Sequence, residues 1–179
     1  MNHPAKALLL VASTAFMPAI ALAGTTPASM CGKGDQVVFS CPLAGSTKTV
    51  SMCAAGDVAN GAGRFYYAYG REGKPELTYP AEGSEGEFTR THLTFAGNTG
   101  GYAYAFTNAG FKYVVYSVSG SNNLQEGGLV VLKDGQAKPV KQSTCQAGKV
   151  IDTDEDALID ATLKWKSDPA IDKNGIPTR

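Results

Sequence analysis

Histidine, the side chain that acid–base catalysis uses most often, is almost absent from this sequence of 179 residues. There are 2 histidines, and His3 lies in a leader segment that we expect to be removed. Any Ser-His-Asp or Cys-His arrangement in the remaining chain would have to use His92. Leu93 and Phe95 are expected to point into the core, which leaves His92 facing solvent.

Paired carboxylates, another simple catalytic device, are also missing from positions that would be buried. The glutamates of the central region lie in or beside Gly-rich or Pro-containing turns: Glu76, Glu82, Glu85, Glu87 and Glu126. Such turns are exposed to water, whereas a raised carboxyl pKa requires burial or a nearby like charge. Together with a surface position for His92, this predicts that the protein is not an enzyme.

An excess of one charge sign is absent as well. Lys and Arg total 16, Asp and Glu also total 16, and the formal net charge is zero. A chain without a basic excess does not match the phosphate backbone of a nucleic acid, so we expect no such partner. No two cysteines have the C-x-x-C spacing of a zinc site, and we expect no cofactor.

One acidic run, from Asp152 to Asp156, resembles the start of a calcium-binding loop because acidic residues occupy its first, third and fifth positions. The later positions do not fit, since Ala157 stands where the loop needs Gly and Leu163 where it needs Glu. The acidic start of a helix explains the run without an ion. We therefore predict no metal site, with an irregular calcium site at Asp152, Asp154 and Asp156 as the alternative.

The first residues have the three parts of a cleavable secretion signal. Lys6 is followed by the apolar segment 7–20 and then by Ala21-Leu22-Ala23, the small-x-small pattern of a cleavage site. We expect residues 1–23 to be a signal peptide, 24–168 a single disulfide-bonded domain, and 169–179 a flexible tail. The protein is then periplasmic or secreted, in a bacterium, and has no membrane span after cleavage.

The cysteine count is even, which in an exported chain indicates two disulfides. The alternating runs from Val37 to Cys41 and from Thr49 to Cys53 predict an antiparallel hairpin. In such a hairpin Cys41 and Cys53 lie about 12 to 16 Å apart by the strand rise, too far for a bond. We therefore predict the pairs Cys31–Cys53 and Cys41–Cys145.

Beyond this hairpin, short alternating runs rich in aromatic and β-branched residues recur between turn residues. The runs are Arg64 to Tyr69, Glu76 to Tyr79, Phe88 to Phe95, Gly101 to Phe106, Phe111 to Ser119, Gly128 to Leu132 and Lys138 to Ser143. No connection before Cys145 is long and apolar enough for a crossover helix, which disfavours parallel strands. We predict a mainly β fold, a single antiparallel β-barrel or β-sandwich of about eight or nine strands.

A single α-helix is predicted near the C-terminus. Asp152 can cap its first turn, and Glu155 follows three residues later, as in a capping box. The apolar stripe consists of Leu158, Ala161, Thr162 and Trp165. We expect this stripe to pack on the sheet.

Aromatic residues are the most distinctive feature of the remaining sequence. The series is Phe65, Tyr67, Tyr69, Tyr102, Tyr104, Phe106, Tyr113 and Tyr116, and most of it is expected to pack in the core. Phe65-Tyr66-Tyr67 places aromatic rings on both faces of one strand, so Tyr66 is predicted to point outward. An outward tyrosine on a rigid sheet is a usable binding surface.

The layout resembles the periplasmic inhibitors of c-type lysozyme, which are small exported antiparallel β-barrels. An aromatic-x-Cys pattern of that family is matched by Phe39-Ser40-Cys41, and the stretch 128–135 leads to a closing cysteine, Cys145. The resemblance implies a Cys41–Cys145 bridge. The family's inhibitory Ser-Gly-x-x-Tyr pattern has its nearest match in the segment 109–113, where alanine replaces the serine.

The sequence therefore predicts a non-catalytic binding protein, and the resemblance implies an inhibitor or immunity protein against a cell-wall-degrading, lysozyme-like enzyme. The expected binding residues are Gly110, Lys112 and Tyr113, with Tyr66 on an outward face. The alternative is a module that binds a carbohydrate or another small ligand of the cell envelope. We expect a monomer.

Overall fold

The computed structural model describes residues 28–177, so the predicted signal peptide lies outside the described residues. The chain forms two antiparallel sheets of 5 strands each and two helices. The strands are β1 Gln36–Pro42, β2 Thr49–Asp57, β3 Ala62–Arg71, β4 Lys74–Tyr79, β5 Thr89–Phe95, β6 Thr99–Asn108, β7 Phe111–Gly120, β8 Leu124–Lys133, β9 Pro139–Thr144 and β10 Ile151–Asp152. The helices are α1 Asp156–Leu163 and α2 Pro169–Asn174. Within residues 28–177 no helix is long and apolar enough to cross a membrane.

The predicted mainly β, antiparallel fold is confirmed. The first sheet has the order β10-β1-β2-β3-β4 and the second the order β5-β6-β7-β8-β9. Outside the two sheets, the described part of the chain has one isolated antiparallel β-bridge, between Leu43 and Cys145. A closed barrel, one of the two predicted architectures, is therefore not formed, and the arrangement is consistent with a β-sandwich. Strand β4 ends at Tyr79, and Pro80, which has no N–H, cannot donate to a continued ladder.

All nine predicted runs are strands, and a tenth was not predicted. Strand β10 has 2 residues, and it pairs with β1 through Phe39↔Asp152 and Ser40↔Ile151. A strand of two residues has no visible alternation, so a sequence pattern cannot identify it.

Both predicted disulfides are present. The hairpin places Val37 opposite Cys53 and Cys41 opposite Val50. Cys31 bonds to Cys53 with a Cα–Cα distance of 5.5 Å, and Cys41 bonds to Cys145 with a Cα–Cα distance of 5.6 Å. The length of the β1–β2 hairpin was therefore sufficient to rank the connectivities. The two bridges indicate an oxidising, exported environment.

The main core lies between the two sheets and includes side chains from both, among them Phe39, Met52, Tyr67, Tyr104 and Leu129. Each sheet also buries its outer face. The N-terminal segment 28–32 covers the first sheet around Cys53, Tyr66 and Ala68, whereas α2 covers the second sheet around Ala103, Ala105 and Val130. Because both outer faces are covered, inner strands such as β2 and β8 are buried on two sides and contain runs of consecutive buried residues.

Helix α1 packs as predicted but begins differently. Leu158, Ala161 and Thr162 are buried, and Trp165, just after the helix, packs against the core. The N-cap is Glu155, without a side-chain hydrogen bond, so the prediction that Asp152 caps the helix is wrong. Asp152 belongs to β10, and its carboxylate accepts hydrogen bonds from Tyr102 and Ser117 of the second sheet instead of from the first turn of α1.

Helix α2 lies in the segment that we predicted to be a flexible tail. Asp168 caps it by accepting hydrogen bonds from the N–H groups of Ala170 (3.0 Å) and Ile171 (3.1 Å). Pro169 follows in the first helical position, and Ile171 is 2% exposed. The Asp-Pro start was a helix signal, but the segment is too short for a periodic apolar pattern.

Candidate functional site

The predicted binding segment begins with a tight turn. Ala109 and Gly110 are the two residues between β6 and β7, with φ angles of 50° and 77°. Positive φ at both positions is typical of a type I′ hairpin turn. The carbonyl of Gly110 accepts a hydrogen bond from the N–H of Asp134 at 2.9 Å. The segment is therefore a short turn fixed to the next hairpin.

Lys112 and Tyr113 follow this turn but point to opposite faces of the second sheet. The Lys112 ammonium donates a hydrogen bond to the Asp168 carboxylate at 2.6 Å, at the cover formed by α2. Tyr113 packs on the inner face, where its ring is stacked on that of Phe106 with centroids 4.9 Å apart. These two side chains cannot contact the same flat partner surface, because successive residues of a strand alternate between faces.

Tyr66 is on the outer face of the first sheet, as predicted, but it is covered there. Its hydroxyl accepts a hydrogen bond from the Gly32 N–H and donates one to Asp35, both at 2.7 Å. The side chain is 6% exposed, and burial together with the Asp35 hydrogen bond raises the pKa of Tyr66 to about 12. The prediction of an outward, accessible tyrosine is wrong because the segment attached through Cys31 lies over it.

His92 is exposed, as predicted, and its Nδ1 lies 3.4 Å from the hydroxyl of Thr94. Phe95 was expected to point inward but is 45% exposed, because β5 is an edge strand and Phe95 is its last residue. The described residues bring no carboxylate within salt-bridge distance of His92. Within residues 28–177 there is also no group of three or more His, Cys, Asp or Glu side chains that could hold a metal ion.

Asp152, the first residue of the calcium-like run, has partners that belong to the second sheet. The hydroxyls of Tyr102 and Ser117 both donate hydrogen bonds to its carboxylate. Burial raises the pKa of Asp152, and these two hydrogen bonds offset only part of the increase. The residue therefore links the sheets, while Asp154 and Asp156 are exposed.

A concave site occurs elsewhere, between the two sheets. We call it the inter-sheet cleft; it has a volume of about 350 Å³ and is bordered by the edge strands β4 and β9. Its aromatic lining consists of Tyr67, Tyr69, Phe111 and Tyr113. Leu77, Leu129, Val131 and Val140 add aliphatic surface, and Glu76 and Lys141 add charge. Clefts with an apolar lining and few polar groups are typical of small-molecule sites.

The most buried aromatic side chain of the cleft is Tyr67, which is 0% exposed. Its ring contacts those of Phe106 and Tyr113, at centroid distances of 4.9 and 5.9 Å. Its hydroxyl has no hydrogen-bond partner among residues 28–177, and burial raises the pKa of Tyr67 well above the ordinary value. A buried hydroxyl without a partner is rare and costs about 1–3 kcal/mol.

Charged side chains surround Tyr69 at the opening of the cleft. The Lys141 ammonium donates a hydrogen bond to the Tyr69 hydroxyl and lies 4.6 Å from the ring centroid. Lys48 lies 5.2 Å from the same centroid and forms a 2.6 Å ion pair with Glu76. The hydrogen bond from Lys48 lowers the pKa of Glu76, which stays ionised near neutral pH.

The sequence contained part of the signal for this site. Tyr67 and Tyr69, Phe111 and Tyr113, and Leu129 and Val131 are each two residues apart, so each pair lies on one face of its strand. What the sequence could not show is which faces meet across the two sheets, because that depends on contacts between distant segments.

The known proteins add no independent assignment of this site. Comparisons with protein-family models, with curated proteins and with solved structures found no match to this chain.

Proposed function

We propose that this chain is a non-catalytic binding protein of the bacterial periplasm or the secreted fraction, and that it takes up a small ligand in the inter-sheet cleft. The observation that carries the proposal is the apolar, aromatic-lined cleft between the two sheets. Its volume lies at the small end of the range of ligand pockets. This function corresponds to the small-ligand alternative that the sequence left open.

A flat, uncharged probe tests whether the cleft binds anything. Naphthamide should bind the oxidised, signal-free chain at a single site, as measured by calorimetry. Leu77→Trp places a large ring at the half-buried edge of the cleft and should weaken binding by about tenfold or more. Leu163→Trp is the matched control, because Leu163 is 57% exposed on α1.

Equal affinity in wild type, Leu77→Trp and Leu163→Trp would contradict the cleft as the binding site. Thermal unfolding of each variant shows whether Leu77→Trp still folds. If it does not, chemical-shift changes of Tyr69 and Val131 in the wild-type protein report the same occupancy.

Inhibition of a lysozyme-like enzyme is a second candidate, supported by one observation. The Cys41–Cys145 bridge is the one that the resemblance to the lysozyme inhibitors implies. In this proposal the turn at Ala109 and Gly110 enters the cleft of the enzyme, while Lys112 and Tyr113 hold the turn from opposite faces of the sheet. Lysis of bacterial cell walls by a c-type lysozyme should then stop at a one-to-one ratio of inhibitor to enzyme, and undiminished lysis at a tenfold excess would reject it.

A further inference from the structure

We infer that the inter-sheet cleft is specific for a small aromatic carboxylate. This inference rests on the proposed function, because it names the ligand class of the same cleft. Three features lead to it: the volume of the cleft, its apolar and aromatic lining, and the charges at its opening.

The volume limits the size of the ligand. The cleft measures about 350 Å³, which corresponds to the liquid volume of roughly a dozen water molecules. A one- or two-ring compound fits this space, whereas an oligosaccharide or a folded peptide does not. Four aromatic side chains line the cleft, so a flat ring would find partners for edge-to-face or offset contacts.

The lining favours an aromatic ring over a sugar. A sugar ring carries several hydroxyl groups, and each one that is buried without a partner costs free energy. Leu77, Leu129 and Val131 provide no hydrogen bonds, and the polar groups of the cleft are confined to Tyr67, Tyr69, Tyr113, Glu76 and Lys141. An apolar ring with a polar group only at the opening of the cleft matches this distribution.

The charges at the opening select an anion. Lys48 and Lys141 contribute two positive charges and Glu76 one negative charge, which leaves one positive charge in excess. Glu76 is paired with Lys48 at 2.6 Å. Lys141 has no carboxylate within 4.0 Å among residues 28–177, and its contact at the cleft is the uncharged Tyr69 hydroxyl. A ligand carboxylate can bond to both Lys141 and the Tyr69 hydroxyl, and such charge-assisted hydrogen bonds are the strong ones.

The ends of the described chain do not compete for this position. Residues 28–32 lie on the outer face of the first sheet, and Ile171 and Ile176 on the outer face of the second. The cleft lies between the sheets, so we assign it to a separate molecule.

A charge series tests the carboxylate. Naphthoate should bind the wild-type protein about tenfold more tightly than naphthamide with the same ring attachment, and naphthylmethylammonium should bind more weakly than both. Lys141→Met keeps the length of the side chain and should remove most of the difference between naphthoate and naphthamide. Lys138→Met is the control, because Lys138 is exposed on the turn before β9.

The outcomes separate the two proposals. If naphthamide binds in a Leu77-dependent manner but naphthoate binds no more tightly, the cleft is a binding site and the carboxylate class is wrong. If a neutral sugar binds at the same site more tightly than any naphthalene, the aromatic class is wrong. If no probe binds, the proposed function itself fails.

Discussion

Two aspartates that join distant parts of the chain have opposite pKa shifts. Asp152, at the inner face of β10, accepts hydrogen bonds from the hydroxyls of Tyr102 and Ser117, and burial raises its pKa. Asp168, at the start of α2, is 5% exposed. Burial alone would raise its pKa too, but the hydrogen bonds from Lys112 and from two backbone N–H groups of α2 lower the pKa below the ordinary value.

The difference between these regions shows what compensates a carboxylate that is shielded from water. Neutral hydroxyl donors at Asp152 leave the charged form disfavoured. A cation and the N–H groups of a helix N-terminus at Asp168 favour the charged form. The contact between the sheets is therefore stable with a neutral group at position 152, whereas the attachment of α2 depends on the charge at position 168.

The strongest test of this comparison is Asp168→Ala, which we expect to lower the free energy of unfolding by about 2–3 kcal/mol. It removes the N-cap of α2 and the ion-pair partner of Lys112. Urea denaturation followed by circular dichroism measures the loss. Asp172→Ala in the same helix is exposed and should cost no more than about 0.5 kcal/mol; an equal loss in both variants would contradict the role of Asp168.

The next largest effect has the opposite sign. Asp152→Asn should raise the free energy of unfolding by about 0.5–1 kcal/mol near neutral pH, because an amide keeps an acceptor for Tyr102 or Ser117 and removes a shielded charge. Asp154→Asn is the control, since Asp154 is exposed. A loss of stability in Asp152→Asn, seen in the same urea titration, would show that the hydroxyl donors do favour the charged carboxylate.

The smallest effect lies in the pH dependence, where the signs differ. The pKa of Asp168 is lowered in the folded state, so its contribution is present above the unfolded carboxyl pKa, about 3.9, and is lost as the pH falls through the folded value. The pKa of Asp152 is raised, so its ionisation reduces stability, and the reduction disappears as the pH falls through the folded value.

This sign difference can be measured by repeating the urea titrations at acidic and neutral pH. The gain from Asp152→Asn should shrink between about pH 7 and pH 4, whereas the loss from Asp168→Ala should persist to about pH 4. Parallel pH profiles for the two variants would remove the contrast between the regions.

Local patterns were sufficient to predict most of the fold. The alternation of apolar residues identified β1 to β9, and the length of the β1–β2 hairpin ranked the disulfides correctly. Both inferences depend on neighbouring residues only. The sequence did not predict β10 and α2, whose 2 and 6 residues are too short for a periodic pattern.

The candidate site was harder to predict than the fold. Tyr66 was expected to be accessible, but whether an outward side chain is covered depends on a segment 31–34 residues away along the chain. Tyr67 was assigned to the core, where it lies, and Tyr113 was predicted to bind a partner but packs against that core. The cleft beside them arises because β4 and β9 leave a gap between the sheets. Such a gap depends on the arrangement of two sheets, and no local pattern encodes it.

The pairing of β1 with β10 and the Cys41–Cys145 bridge both join the beginning of the domain to its end, across a separation of 104 residues in the case of the bridge. A polypeptide that emerges from an export channel with its N-terminus first presents three cysteines early and the fourth late. Once Cys31 and Cys53 have bonded to each other, Cys41 remains a free thiol until Cys145 emerges. An oxidant that acts before then can join Cys41 to a wrong partner. Because the cysteines emerge in this order, wrongly formed disulfides must be rearranged in the compartment where the protein matures.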